Sequence, residues 1–147
     1  MTDALREIRD PLCGRCKLAQ TADTVCQMGF GSQQAKIMVV SKMANSREYQ
    51  KALEAQLTTL GLDVSKIFFT QAIRCRTFDQ DASNADIKQC RFYLDQEIEL
   101  VKPKIILAFG NEALLATVGK SGITKYRGRI WTRPDGVEVL ATISPSA

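Results

Sequence analysis

Apolar positions in this chain fall into two rhythms: short unbroken runs, and longer stretches with an apolar residue at every third or fourth place. The first run, Ala35 to Val40 (AKIMVV), follows Gly31-Ser32 and has the length and continuity of a buried strand. From about Arg47 to Leu60, Tyr49, Leu53, Leu57 and Leu60 recur at helical spacing, and Gly61 supplies a stop. Ile67 to Ile73 reads as the next strand. Asp79 to Asn84 is a polar loop, with Ser83 or Asn84 as the N-cap of a helix that buries Ile87, Cys90, Leu94, Ile98 and Val101 along one stripe. Pro103 ends that helix, Lys104 to Phe109 (KIILAF) forms a third strand, and Gly110 turns the chain. Asn111 is expected to cap a helix closing at Gly119, and Val137 to Ile143 is the last strand. Strands alternating with helices predict an α/β fold: a mostly parallel four-stranded sheet with helices on both faces. No repeat, linker or low-complexity stretch divides the chain, so a single domain over 1–147 is expected. Gly29 and Gly31 make no phosphate-binding loop, because no Lys-Ser/Thr follows at the required spacing.

Composition adds limits. The 147 residues are 45% hydrophobic and 24% charged, enough for one core and unlike a disordered chain. No apolar run approaches the length of a membrane span, and Met1-Thr2-Asp3 begins no signal peptide, which points to the cytoplasm. The absence of histidine excludes every His-based triad, general base or zinc ligand. The net charge is only +4, yet Lys120, Lys125, Arg127, Arg129 and Arg133 follow one another with no acid between, and Arg74 and Arg76 bracket Cys75. Such groups suit phosphate neutralisation; the plainer reading is a solvated face.

The cysteines carry the most chemistry. Cys13-x2-Cys16 is a tight chelating pair, and Cys75-x14-Cys90 is a second, open pair that can close the other side of a metal centre. Four thiolates are soft ligands, suited to an iron–sulfur cluster or a structural zinc. The open second pair argues for the cluster, since zinc ribbons use two tight pairs. Ordinary buried thiols are the alternative. An odd total of five cysteines speaks against a disulfide framework, and Cys26, the one left over, reads as half-buried and structural.

Several segments together resemble the iron–sulfur uracil-DNA glycosylases, families 4 and 5, with family 4 the nearer. They are Cys13 to Leu18 (Cys-x2-Cys-x-Leu), Phe68 or Phe69 through Cys75-Arg76, Cys90 within a helix, Pro103-Lys104-Ile105-Ile106 running into Phe109-Gly110, Ala113, Arg127-Gly128, and a terminal x-Pro-Ser. The match runs in order from Leu12 to Ser146. The resemblance implies a three-layer α/β/α sandwich and a [4Fe–4S] cluster on Cys13, Cys16, Cys75 and Cys90. With all four ligand positions filled by cysteine, such a cluster leaves no open iron for Lewis-acid chemistry, and its role is structural.

The catalytic motifs depart from the family. Where the family's first strand enters a Gly-Glu-Ala-Pro-Gly loop, this chain reads Ser41-Lys42-Met43-Ala44-Asn45, so Lys42 stands where the water-serving acid belongs. The family loop bearing a uracil-stacking Phe is missing. Gln71 replaces the Asn that reads the uracil edge, and Ser144-Pro145-Ser146 replaces His-Pro-Ser. Loss of one charge-stabilising donor costs ~10²–10³ in rate, and general acid–base help is worth ~10²–10⁴. The expectation is therefore a catalytically degenerate relative, a pseudoenzyme that binds DNA or a replication or repair partner. Its DNA contacts would be Arg74, Arg76, Lys125, Arg127, Arg129, Ser144 and Ser146. The alternative is an active glycosylase of altered base preference using Gln71, Lys42, Asn45 and Ser144, with Lys42 as nucleophile or with Glu48 or Asp79 placing water. A zinc-stabilised protein scaffold is the third. The family continues past Pro-Ser with a helix; a chain ending at Ala147 is expected to leave one sheet face partly open to a protein partner or a second copy. Such compactness would suit a viral or mobile-element genome, so the expected place is the cytoplasm of a bacterium or, for a viral protein, of its host cell.

Overall fold

The computed structural model describes residues 7–10, 28–43, 46–74 and 83–142. Among them a six-stranded sheet has the order β1-β3-β2-β4-β6-β5. Its strands are β1 (Phe30–Gly31), β2 (Ile37–Met43), β3 (Ile67–Ile73), β4 (Ile105–Phe109), β5 (Ile130–Thr132) and β6 (Glu138–Thr142). The four expected strands form its parallel centre, β3-β2-β4-β6. The expectation of four strands is corrected by two short antiparallel edges, β1 on β3 and β5 on β6. Strands of two and three residues carry too little periodicity to stand out in a sequence.

Among the described residues, the sheet is flanked by α1 (Arg47–Thr59), α2 (Asn84–Val101), α3 (Gly110–Val118) and the single turn α4 (Ile123–Tyr126). On one face, Leu53 and Leu57 of α1 pack with Val39, Ile67, Phe69 and Phe109. On the other, Ile87, Leu94 and Ile98 of α2 and Ala113 and Ala116 of α3 cover Met38, Val40, Phe68, Ala72, Ile106, Ala108 and Val139. This is the three-layer arrangement. Every residue of β3 is buried, and apart from Thr70 and Gln71 all are apolar, as expected of a strand covered on both faces.

The caps are partly as expected. Ser83 Oγ accepts from the Asp86 N–H, and the Asp86 carboxylate accepts from the Ser83 N–H, a complete capping box on α2. Asn111 does not cap α3; Phe109 is the residue before the helix, and it makes no side-chain cap hydrogen bond. The Asn111 Oδ1 instead accepts from Gly122 N and Ile123 N at 2.9 and 2.6 Å, pinning the entrance of α4. Leu60 is not buried but 75% exposed, since it follows the last turn of α1. At the β1 edge, Gly31 has φ +116, and a Cβ there would overlap the Ile67 carbonyl. Only glycine lets β1 lie this close to β3.

Leu107 and Leu140 are register partners, as are Leu140 and Ile130, so the three share one face of the sheet. Leu107 and Leu140 are half-buried and Ile130 is 53% exposed.

Candidate active-site crevice and nucleic-acid interface

From β2 the chain moves to β3 on one side, then crosses back to β4 on the other. In open α/β sheets such a switch point opens a crevice at the carboxyl ends of the strands, between the two that flank it. Here those strands are β2 and β4, and the residues at the crevice are Lys42, near the end of β2, and Glu112, in the first turn of α3. A cavity of about 290 Å³ lies there, lined by Lys42, Asn84, Ile87, Asn111, Glu112, Leu115 and Ser121. The Lys42 Nζ stands 3.9 Å from Glu112 Oε1, with the two side chains 54% and 28% exposed. At that separation and exposure the pair holds its partners loosely, worth ~0–1 kcal/mol.

The other expected site residues separate. Gln71 is register partner of Ser41, one place from Lys42, but it is buried and does not line this cavity. Glu48 lies in the first turn of α1, exposed, and does not line it either. The acid that does reach it is Glu112, which was not singled out from the sequence. Its position just after the Phe109-Gly110 turn was the available signal. Asn45, Asp79, Ser144 and Ser146 lie outside the described residues, as do Arg76, Cys13, Cys16, Cys26 and Cys75.

Arg74 requires a correction. Expected at a phosphate, its side chain is 1% exposed, and its Nη2 donates to Glu97 Oε1, itself on a fully buried side chain. Glu97 also accepts from the Thr70 hydroxyl at 2.6 Å and the Gly29 N–H at 2.7 Å. An arginine so held presents no charge to solvent. The basic run divides as well. Arg133 turns inward to Asp95, Asp135 and the Thr117 carbonyl, with 8% of its side chain exposed. Its surroundings belong to a separate cavity of about 830 Å³, floored by Pro103 and Val137, at the opposite ends of the strands. Lys125, Arg127 and Arg129 remain exposed at the crevice end, where Gly128 N–H donates to the Ala141 carbonyl of β6. They make no ion pair among the described residues.

Of the four cysteines that the resemblance implies as cluster ligands, Cys90 lies among the described residues, and its place is compatible with that role. Cys90 is buried, in the second turn of α2 on its inward stripe. Glu97 stands seven residues further on, two turns along the same face. Arg74, which Glu97 grips, directly precedes Cys75. One buried ion pair thus fastens the end of β3 to the helix that carries Cys90. Among the described residues no group of three or more His, Cys, Asp or Glu side chains could hold a metal by itself. No helix among them is long and apolar enough to cross a membrane.

The model of the uracil-DNA glycosylase superfamily matches residues 28–147. The chain belongs to that superfamily. Among its relatives, the type-4 uracil-DNA glycosylase of Sulfurisphaera tokodaii is 29% identical over 167 residues, covering 99% of this chain and 76% of that protein. The type-4 enzyme of Archaeoglobus fulgidus is 24% identical over 168 residues, covering 100% and 82%. A DNA polymerase of Bacillus phage SP01 is 29% identical over 115 residues, which are 70% of this chain and 12% of the polymerase. The likeness is to the type-4 branch, in agreement with the cysteine pattern.

Proposed function

We propose that this protein is a single-domain DNA-binding member of the superfamily, acting in DNA repair or replication, in which the uracil-excision machinery is degenerate. The observation that carries the reading is Lys42. It stands at the crevice where the resemblance calls for an acid, and the neighbouring carboxylate, Glu112, faces its ammonium group. Gln71, in the place of the uracil-reading Asn, is buried within β3. A DNA-facing role is supported by the three exposed cations, Lys125, Arg127 and Arg129, at the same end of the sheet as the crevice. Under this reading Cys13, Cys16, Cys75 and Cys90 hold a [4Fe–4S] cluster that ties the N-terminal segment to α2 and takes no part in chemistry. The half-covered face at Leu107, Leu140 and Ile130 is then available to a protein partner or a second copy.

Glu112 favours a second reading. It brings a carboxylate to the cavity, so an active glycosylase with displaced catalytic residues would use Glu112 to hold the attacking water. Lys42, Gln71, Asn45 and Ser144 would be its other candidate groups.

Phosphate contacts make binding fall with salt, by a slope of about one log unit per log salt for each contact. Changing Arg127 and Arg129 together to Ala is expected to weaken DNA binding about 10-fold or more near 0.1 M salt and to flatten that slope by roughly two. Titration of a labelled oligonucleotide at several salt concentrations reads both. Binding that is absent, or that ignores salt, would contradict the DNA-binding reading and favour a protein-only scaffold.

A further inference from the structure

The cations near the crevice surround two aromatic rings that the charge pattern does not reveal. Tyr126 of α4 and Trp131 of β5 meet edge to face, with centroids 5.3 Å apart and planes at 77°. The Arg129 Cζ lies 5.8 Å from the Tyr126 centroid and 5.3 Å from that of Trp131, and Lys125 Nζ lies 5.4 Å from the Tyr126 ring. Both rings are half-buried, resting on Leu114, Ile123 and Ala141, and β5 is an edge strand bonded to β6 alone among the described residues. Packing explains why the rings sit on this core. It does not explain why Lys125 and Arg129 gather at them with no carboxylate as ion-pair partner among the described residues.

We propose that this surface is a stacking platform for single-stranded DNA, leading to the crevice. The proposal deepens the DNA-binding reading and rests on it. Every base has a π face, so aromatic rings interleaved with arginine hold a single strand without reading its sequence, while flanking cations meet the phosphates. A duplex keeps its bases stacked on one another and offers this surface only phosphates. The path is continuous: Asn111 and Ser121 line the cavity, and Asn111 bonds the N–H groups of Gly122 and Ile123. From there the chain runs through Lys125 and Tyr126 to Arg129 and Trp131. A strand laid along that segment arrives at the cavity.

Trp131 is the single tryptophan in the chain, so its emission reports on this surface alone. The test titrates the intact, cluster-loaded protein with an oligothymidylate of about 12 nucleotides, a length within the site sizes typical of such platforms. Fluorescence anisotropy of a labelled copy is followed in parallel. Trp131 emission is expected to be quenched, saturating where the anisotropy saturates, with a duplex of equal length binding more weakly and quenching little. Tyr126→Leu is expected to weaken oligothymidylate binding about 10-fold, the loss of one stacking partner. Binding seen by anisotropy with unchanged Trp131 emission, or equal quenching by the duplex, would overturn the platform while leaving DNA binding intact. No anisotropy change with either DNA would overturn the DNA-binding reading and the platform with it.

Discussion

Arg74→Met is expected to lower the thermal midpoint of the anaerobically purified protein by about 10 °C, corresponding to roughly 3–5 kcal/mol in a chain of this size. Glu97 is fully buried and accepts three hydrogen bonds, of which the Arg74 guanidinium supplies the charged one. Methionine fills much of the arginine volume but leaves the carboxylate with two neutral donors, and an uncompensated buried charge is far costlier than the loss of an exposed pair. The same reasoning predicts that Arg74→Met combined with Glu97→Leu melts above the single variant, because both charges are then gone. The Gly29 N–H and the Thr70 hydroxyl lose their acceptor in the double change, so recovery is expected to be partial. Melting followed by circular dichroism decides it. A shift of less than about 2 °C for Arg74→Met would show that the pair carries little of the stability assigned to it.

Under the proposed cluster assignment, Cys90→Ser is expected to remove most of the iron from anaerobically purified protein and abolish the broad visible absorbance that such a cluster gives. A hydroxyl is a poor substitute for a thiolate at such a site, and the packed helix that carries Cys90 holds no second cysteine. Cys26→Ser, by contrast, is expected to leave iron content unchanged. Metal analysis of the wild type and the two variants distinguishes the alternatives. Zinc in place of iron would support the scaffold reading, and iron retained in Cys90→Ser would remove Cys90 from the ligand set.

The parallel centre of the sheet was legible because its strands are largely buried and carry apolar runs, as Ile37–Val40 and Ile105–Phe109 do. The N-cap of α2 was legible to within one residue, as Ser83 or Asn84, because the cap is local, with Ser83 bonded to Asp86 three places on. The edges were not. Phe30–Gly31 is a strand only because β3 lies beside it and Gly31 lacks a Cβ, and neither fact can be read from two residues. Arg74 and Arg133 were misread for a related reason. A charge in a sequence carries no sign of the acid that will meet it, and Glu97 and Asp95 reach them across 23 and 38 residues. Glu97 left a trace, an acid two turns along the stripe from Cys90. Glu112 and the Tyr126–Trp131 pair left less, since only the fold brings Glu112 to Lys42 and a helical turn to an edge strand.

The central claim, binding without base excision, is tested most directly by a base-release assay on single- and double-stranded uracil-containing oligonucleotides. The protein is the anaerobically purified wild type, and DNA binding is measured in the same samples. The account predicts bound DNA and no abasic sites beyond the protein-free control. Abasic sites formed at enzymatic rates, and lost in Glu112→Gln, would contradict it and establish the crevice at Lys42 and Glu112 as a working active site.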